Sequence, residues 1–171
     1  LELIQLLVQD ERSSRDSNSF SKRLQTAGVS NRMTFENFDF DFNSATMAPQ
    51  LIRDLATCHF LEQRRNLVLA GPPGIGKSHI AQALSHEAAR RGYDVVVFKT
   101  HKLLERLSSG FLSPKRTELL LKRCLSAGLL VLDDFAFRPY NREETELLYT
   151  LADEALGERS IIVTSNRPPE D

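Results

Sequence analysis

Gly71-Pro72-Pro73-Gly74-Ile75-Gly76-Lys77-Ser78 decides the reading of this chain. The run fits G-x-x-x-x-G-K-[ST], the phosphate-binding loop of nucleoside triphosphatases. Asn66-Leu67-Val68-Leu69-Ala70 precedes it as a short apolar strand, and Ile80, Ala81, Ala83, Leu84, Ala88 and Ala89 follow at helical spacing. A loop between a strand and a helix is the context the motif requires. Its glycines let backbone N–H groups converge on phosphate oxygens, and the helix N-terminus adds its positive dipole end. Lys77 would reach the β- and γ-phosphates, and the Ser78 hydroxyl would ligate Mg²⁺. The alternative, a Gly/Pro-rich turn without a ligand, leaves the flanking strand and helix and the Lys-Ser pair unexplained.

The chain has 171 residues, enough for one domain with a small appendage. Its formal net charge is −1, so overall charge points to no polyanionic partner. Cys58 and Cys124 lack C-x-x-C spacing and sit in apolar surroundings. They read as buried free thiols of a reducing compartment, neither ligands nor a bridge. No apolar run approaches the ~20 residues of a membrane span, and no signal-peptide pattern is visible. A cytoplasmic protein that does not enter membranes is the expectation. The chain starts without Met and stops in Pro168-Pro169-Glu170-Asp171, which leads to the expectation of a fragment.

Residues 1–34 read as an N-terminal helical arm. Leu1 to Val8 offers one apolar face, and Phe20, Leu24 and Ala27 suggest a second short helix ending near Gly28. In Thr34-Phe35-Glu36-Asn37-Phe38-Asp39-Phe40-Asp41-Phe42 the aromatics alternate with acidic or amide residues. We read 35–47 as an extended linker whose rings pack on the main domain. From 48 to 171 the pattern is α/β. A helix is expected from Pro49 to Arg64, with Pro at its first turn. Strands follow at 67–70, 94–98, 129–132 and 160–164. Between them helices run from the phosphate loop to Gly92, over 102–107 and 114–126, and from an Asn141 cap with Glu144 as its capping-box partner. Short, continuously apolar strands predict a parallel sheet covered on both faces.

Leu129-Leu130-Val131-Leu132-Asp133-Asp134 delivers two carboxylates at the C-terminal end of a strand, where open α/β sheets bind ligands. Asp133 would hold the Mg²⁺ shell, and Asp134 would orient or deprotonate an attacking water. The alternative, a helix cap or turn, weakens once a phosphate loop lies upstream. Ile161-Ile162-Val163-Thr164-Ser165-Asn166 also ends in polar residues. Asn166 could bond a γ-phosphate or the lytic water, or could simply start a turn before Pro168.

These three elements, Gly71–Ser78, Asp133-Asp134 and Thr164-Ser165-Asn166, resemble Walker A, Walker B and sensor 1 of AAA+ ATPases. Thr34–Phe40, Ala70–His79, Ala88-Ala89-Arg90-Arg91-Gly92-Tyr93 and Ile162–Asn166 resemble the IstB/DnaC-like clade, with IstB the closer match, over residues 34–171. The resemblance implies a three-layer P-loop sheet with the sensor 1 strand between the Walker A and Walker B strands. It implies ATP and Mg²⁺ as ligands, with Gly71, Pro72, Pro73, Gly74, Ile75, Gly76, Lys77, Ser78 and His79 around the nucleotide. Ser78 and Asp133 would hold the metal, and Lys77, Asp134 and Asn166 would act in catalysis. Phe35–Phe42 would sit near the adenine or, alternatively, simply pack the core. The partners implied are DNA and a transposase, or a replicative helicase, in an ATP-dependent homo-oligomer. Asp134 departs from the usual Glu, which would slow or realign hydrolysis. The chain also stops before the sensor 2 helix and the last strand of such a sheet, and Arg167 carries no assignment as an arginine finger.

One charge feature is independent of the resemblance. Residues 99–123 hold seven cations, Lys99, Lys102, Arg106, Lys115, Arg116, Lys122 and Arg123, against Glu105 and Glu118, a net +5. Either this is a nucleic-acid footprint or it is the solvated side of two amphipathic helices. Lys102, Arg106, Lys115 and Arg116 are the candidate DNA contacts. The combined expectation is an ATP-dependent DNA-binding helper that assembles on target DNA and guides a transposase, with ATP hydrolysis resetting it. A DnaC-like helicase loader and a nucleotide-gated binding module with negligible turnover are the alternatives.

Overall fold

Four short strands, β1 (Leu67–Ala70), β2 (Val95–Lys99), β3 (Leu129–Phe135) and β4 (Ser160–Ser165), form one sheet in the order β1-β4-β3-β2. All three pairings are parallel. Parallel neighbours need crossovers, and helices supply them: α4 (Lys77–Arg90), α5 (Thr100–Leu107), α6 (Pro114–Ser126) and α7 (Arg142–Ala155). The computed structural model describes residues 18–42, 48–108 and 111–167.

Strand alternation sorts the side chains into two cores. Val95, Val97, Leu129, Val131 and Ile162 face α4, where they meet Ile80, Leu84 and Ala88. Val96, Leu130, Leu132 and Ile161 point the other way, onto Leu103 and Leu107 of α5 and Leu151 and Ala155 of α7. The sheet is therefore a middle layer with helices on both faces, as the apolar strands predict. β4 lies between β1 and β3, the order the family resemblance implies.

Three local expectations need correction or relocation. The helix expected over 49–64 is two helices, α2 (Pro49–Ala56) and α3 (His59–Glu62). Cys58 between them takes a left-handed conformation, φ 60°, and its N–H closes on Leu55 O at 2.9 Å. The break turns Phe60 and Leu61 into the α4-side core. A left-handed C-terminus usually shows in sequence as Gly, and Cys gives no such warning.

The expected extended linker instead contains a 3₁₀ turn at Phe35–Asn37. The turn folds Phe35, Phe38 and Phe40 into one aromatic cluster, with Phe38 and Phe40 centroids 5.0 Å apart. Residues 43–47 of that linker lie outside the described residues, as does the helix expected over 1–8. A helix, α1, spans 18–27. Leu24, Ala27 and Val29 are buried in the same core as α4, so this part of the expected arm is built into the domain.

Cys58 and Cys124 are free and buried, and burial pushes both thiols up to about 11. Among the described residues no helix is long and apolar enough to cross a membrane.

Candidate nucleotide site

Parallel topology brings the C-terminal ends of β1, β4 and β3 to one edge of the sheet. Ala70 pairs with Ser165, and Phe135 with Ser165 on the other side. The glycine-rich loop leaves β1 here, and Gly71 N–H donates to Ser165 O at 3.2 Å. The loop needs its glycines for room as well as for torsion. A Cβ on Gly71 would stand 2.6 Å from Ile75 Cδ1, and one on Gly76 (φ 98°) would stand 3.2 Å from Phe38 Cε2. Gly76 caps α4, so the helix starts at Lys77 with its free N–H groups at the loop.

Lys77 is 6% exposed. Its ammonium donates to two neutral carbonyls, Gly71 O and Pro72 O, both at 2.8 Å. Burial lowers its pKa below the ordinary lysine value, against the pull of Asp134 and Asp133. A buried cation curled onto carbonyls suits an anionic ligand that would supply the missing countercharge.

Asp133, buried at the end of β3, joins three elements. Ser78 Oγ donates to Asp133 Oδ1 at 2.7 Å, and Thr164 Oγ1 donates to the same oxygen at 2.6 Å. Thr100 Oγ1 donates to Asp133 O at 2.9 Å. The hydroxyl and carboxylate of Ser78 and Asp133 form a hard oxygen set, the donor chemistry Mg²⁺ takes.

Asp134 stands apart. The β3–β4 register shifts between Leu132 and Phe135, and Asp134 has φ 55°. Its N–H donates to Thr164 Oγ1 at 3.0 Å. This bulge aims its carboxylate towards β2, where Lys99 Nζ donates to Asp134 Oδ2 at 2.8 Å. That hydrogen bond raises the Lys99 pKa. Past β3, Ala136 N–H donates to the Tyr140 hydroxyl, and Arg138 grips Glu144 through both terminal nitrogens. The expected Asn141–Glu144 capping box is complete at the start of α7.

The structure thus gathers Lys77, Ser78, Asp133 and Asp134 at one edge. Asn166 lies one residue past β4, between the β1 and β3 ends, with its side chain exposed. Beside the loop, Phe38, Phe40, Phe42, Ile52, Gly74 and His79 line a cavity of about 240 Å³. His79 Nε2 lies 2.8 Å from Thr34 O, and its ring meets Phe38 edge-on at 5.1 Å.

Sequence reasoning missed two groups. In the sequence Thr164 stands only as part of a motif whose candidate residue is Asn166, yet it is Thr164 that touches Asp133. Lys99 belongs to a basic run in the sequence, whereas its register partner on β3 is Asp133 and its ammonium is bonded to Asp134. Of the candidate DNA contacts, Lys102, Lys115 and Arg116 are exposed, and the Arg106 guanidinium lies 5.6 Å over the Phe98 ring. Arg106 and Lys122 are exposed as well, so of the seven cations Lys99 is the one whose ammonium is bonded to a carboxylate among the described residues.

A parallel sheet with a glycine-rich loop at β1, an Asp pair at β3 and β4 inserted between them defines a P-loop domain of the AAA+ type. Solved structures of that architecture align over most of it. A DnaC helicase loader superposes with TM-score 0.67 at 24% identity, covering 83% of each chain. AMPPCP-bound DnaA from Aquifex aeolicus gives 0.66 at 24%, covering 83% of this chain and 44% of that one. The chain belongs to the family of IstB-like ATP binding proteins, whose model matches residues 1–171. An insertion-sequence ATP-binding protein of Mycobacterium tuberculosis is 37% identical over 172 residues, all of this chain and 68% of that protein. The IS21 ATP-binding protein of Pseudomonas aeruginosa is 33% identical over 166 residues, 97% of this chain and 62% of that protein. The chain thus spans about two thirds of the length of these relatives.

Proposed function

We propose that this domain binds ATP with Mg²⁺ between the glycine-rich loop and the ends of β3 and β4, hydrolyses it slowly, and in its ATP-bound state assembles on DNA to guide a transposase. The observation that carries the reading is the Ser78 Oγ–Asp133 Oδ1 contact of 2.7 Å, which joins the loop to the Asp pair across 55 residues of sequence. Ser78 and Asp133 are the groups that would hold Mg²⁺, which when bound neutralises phosphate charge. Thr164 keeps Asp133 in place. The loop N–H groups bind phosphate, and Lys77 turns from its two carbonyls to the β- and γ-oxygens. Asp134 accepts the proton of the attacking water once Lys99 lets it go. Asn166, at the mouth between β1 and β3, orients that water. The aromatic cavity next to Gly74 and His79 takes the adenine.

A neighbouring subunit completes the hydrolytic site, since a transition-state arginine supplied in trans is typically worth ~10³–10⁵ in rate. The insertion-sequence setting of the relatives' names supports a transposase as partner. Likeness to the DnaC helicase loader keeps a loader as the alternative within the same class. Lys102, Arg106, Lys115 and Arg116 contact the DNA backbone in this reading. The buried free thiols agree with work in the cytoplasm.

A second reading has its own observation. With Lys99 bonded to Asp134, the domain could be a nucleotide-gated module with negligible turnover. ATP titration of wild type and Lys77→Ala, with turnover measured over a range of protein concentrations with and without DNA, separates the two. Unchanged ATP affinity in Lys77→Ala overturns the nucleotide site. Tight binding with no turnover under any condition selects the gated module.

A further inference from the structure

A cavity of about 410 Å³ opens at the other end of the sheet from the glycine-rich loop. Val95 and Val96 at the start of edge strand β2 form its floor. Lys99, four residues on, marks the Asp134 end, about 13 Å away at 3.3 Å per residue. One wall is α1, with Ser19, Lys22 and Arg23; the other is the C-terminal turn of α6, with Arg123 and Ser126. Among the described residues Asp94 is the one acidic group in the lining, against three cations.

The cations are arranged for an external anion. Arg23 Nε donates to Ala89 O at 3.1 Å and its Nη1 to Ser19 Oγ at 2.8 Å. Arg123 Nη2 donates to Thr26 O, so it also ties α6 to α1. Each guanidinium carries five N–H donors, so both keep donors free while their planes are held. Holding them in advance lowers the ordering cost of binding. Lys22 is exposed, and none of the three cations forms an ion pair among the described residues.

The cleft also continues a basic face. Arg116 and Arg123 lie seven residues apart on α6, two turns and about 10 Å along one side of the helix. At 3.4 Å per nucleotide along a strand, that spans about three phosphates. The cleft presents cations and hydroxyls, groups that meet phosphate oxygens and fix position without reading sequence. We propose that this cleft binds a backbone phosphate of duplex DNA, carrying the path of the strand from α6 across to Lys22 and Arg23 on α1. The proposal rests on the reading above that the protein binds DNA, and adds Lys22 and Arg23, two cations outside the 99–123 run, to Arg123 within it.

The test is DNA binding by the full-length protein, followed by fluorescence anisotropy on a mixed-sequence duplex over a series of salt concentrations. Three variants are compared with wild type: Lys22→Glu, Asp94→Asn and Lys115→Glu/Arg116→Glu. Lys22 is exposed and outside the core, so its replacement leaves the fold intact. The expected result is an affinity loss of about fivefold or more for Lys22→Glu and a salt slope smaller by about one. Asp94→Asn should tighten binding. Unchanged affinity and slope in both single variants, with binding lost in the double variant, overturns the cleft and leaves the DNA reading standing. Absence of salt-dependent binding by wild type overturns both. Lys22-dependent binding of polyglutamate, with no Lys22 dependence for the duplex, overturns the proposal in favour of an acidic polypeptide.

Discussion

Lys99 Nζ sits 2.8 Å from Asp134 Oδ2, so the carboxylate to which the proposed function gives the attacking water is already engaged by a cation from the neighbouring strand. The geometry follows from a β-bulge. Asp134 turns left-handed, leaves the regular ladder and swings towards the end of β2. Lys99 is half exposed and Asp134 about a quarter exposed, so solvent screens the pair and its worth is about 1 kcal/mol at most. That is enough to bias the carboxylate and weak enough to release.

Lys99→Met should therefore raise basal ATP turnover by about fivefold, the rate equivalent of ~1 kcal/mol, with little change in KM. Steady-state kinetics check this. A fall in turnover with a raised KM would instead place Lys99 on the nucleotide.

Lys77→Ala should weaken ATP binding by about 2–5 kcal/mol, by analogy with truncating one partner of a desolvated charge pair. The same change should cost the unliganded fold little, because Lys77 is a buried cation bonded to neutral carbonyls. Lys77→Met, which keeps the aliphatic stem, sharpens the contrast. Calorimetric titration with ATP and denaturant unfolding without it give the two halves of the prediction.

Asp133 and Asp134 should separate in both stability and rate. Asp133→Ala strips the shared acceptor from Ser78 and Thr164. It should cost about 1–3 kcal/mol of stability, because the part-buried Ser78 hydroxyl and the buried Thr164 hydroxyl both lose the acceptor they donate to, along with Mg²⁺-dependent ATP affinity. Asp134→Asn should keep ATP binding and lose turnover, because an amide cannot take the water's proton. Equal effects of both changes on affinity, rate and unfolding midpoint would contradict the division.

What the sequence made legible was whatever local pattern encodes. Gly71–Ser78 between an apolar strand and a helix, the Asp pair after Leu129–Leu132, and the Asn141–Glu144 box each carry their context within a few residues. What it hid depends on neighbours far along the chain. Lys99 meets Asp134 only because β2 and β3 pair in one register, and Thr164 meets Asp133 only because β4 inserts between β1 and β3. The Cys58 break and the 3₁₀ turn at Phe35–Asn37 were hidden for another reason. No Gly or Pro marks either bend, and burial of Phe60 and of the Phe35–Phe38–Phe40 cluster overrides the local pattern.

A last prediction concerns acid. His86 on α4 is buried, and neither ring nitrogen has a hydrogen-bond partner among the described residues. Phe20 of α1 packs edge-on against it at 5.5 Å. Desolvation first, and the Arg90 charge second, lower its pKa; Glu36 and Glu87 pull weakly the other way. The folded state thus holds His86 neutral at pH values where the unfolded chain would protonate it. The unfolded state then binds more protons, so stability rises with pH across that window. His86 contributes fully above about 6.5, the ordinary histidine value. The contribution is lost as pH falls through the lower folded value, and the contact at risk is the Phe20–His86 seam that holds α1. Urea unfolding at pH 7.5 and 5.5 should show the midpoint dropping in acid for wild type and dropping less for His86→Leu. Equal drops in the two proteins would assign the acid sensitivity to other groups.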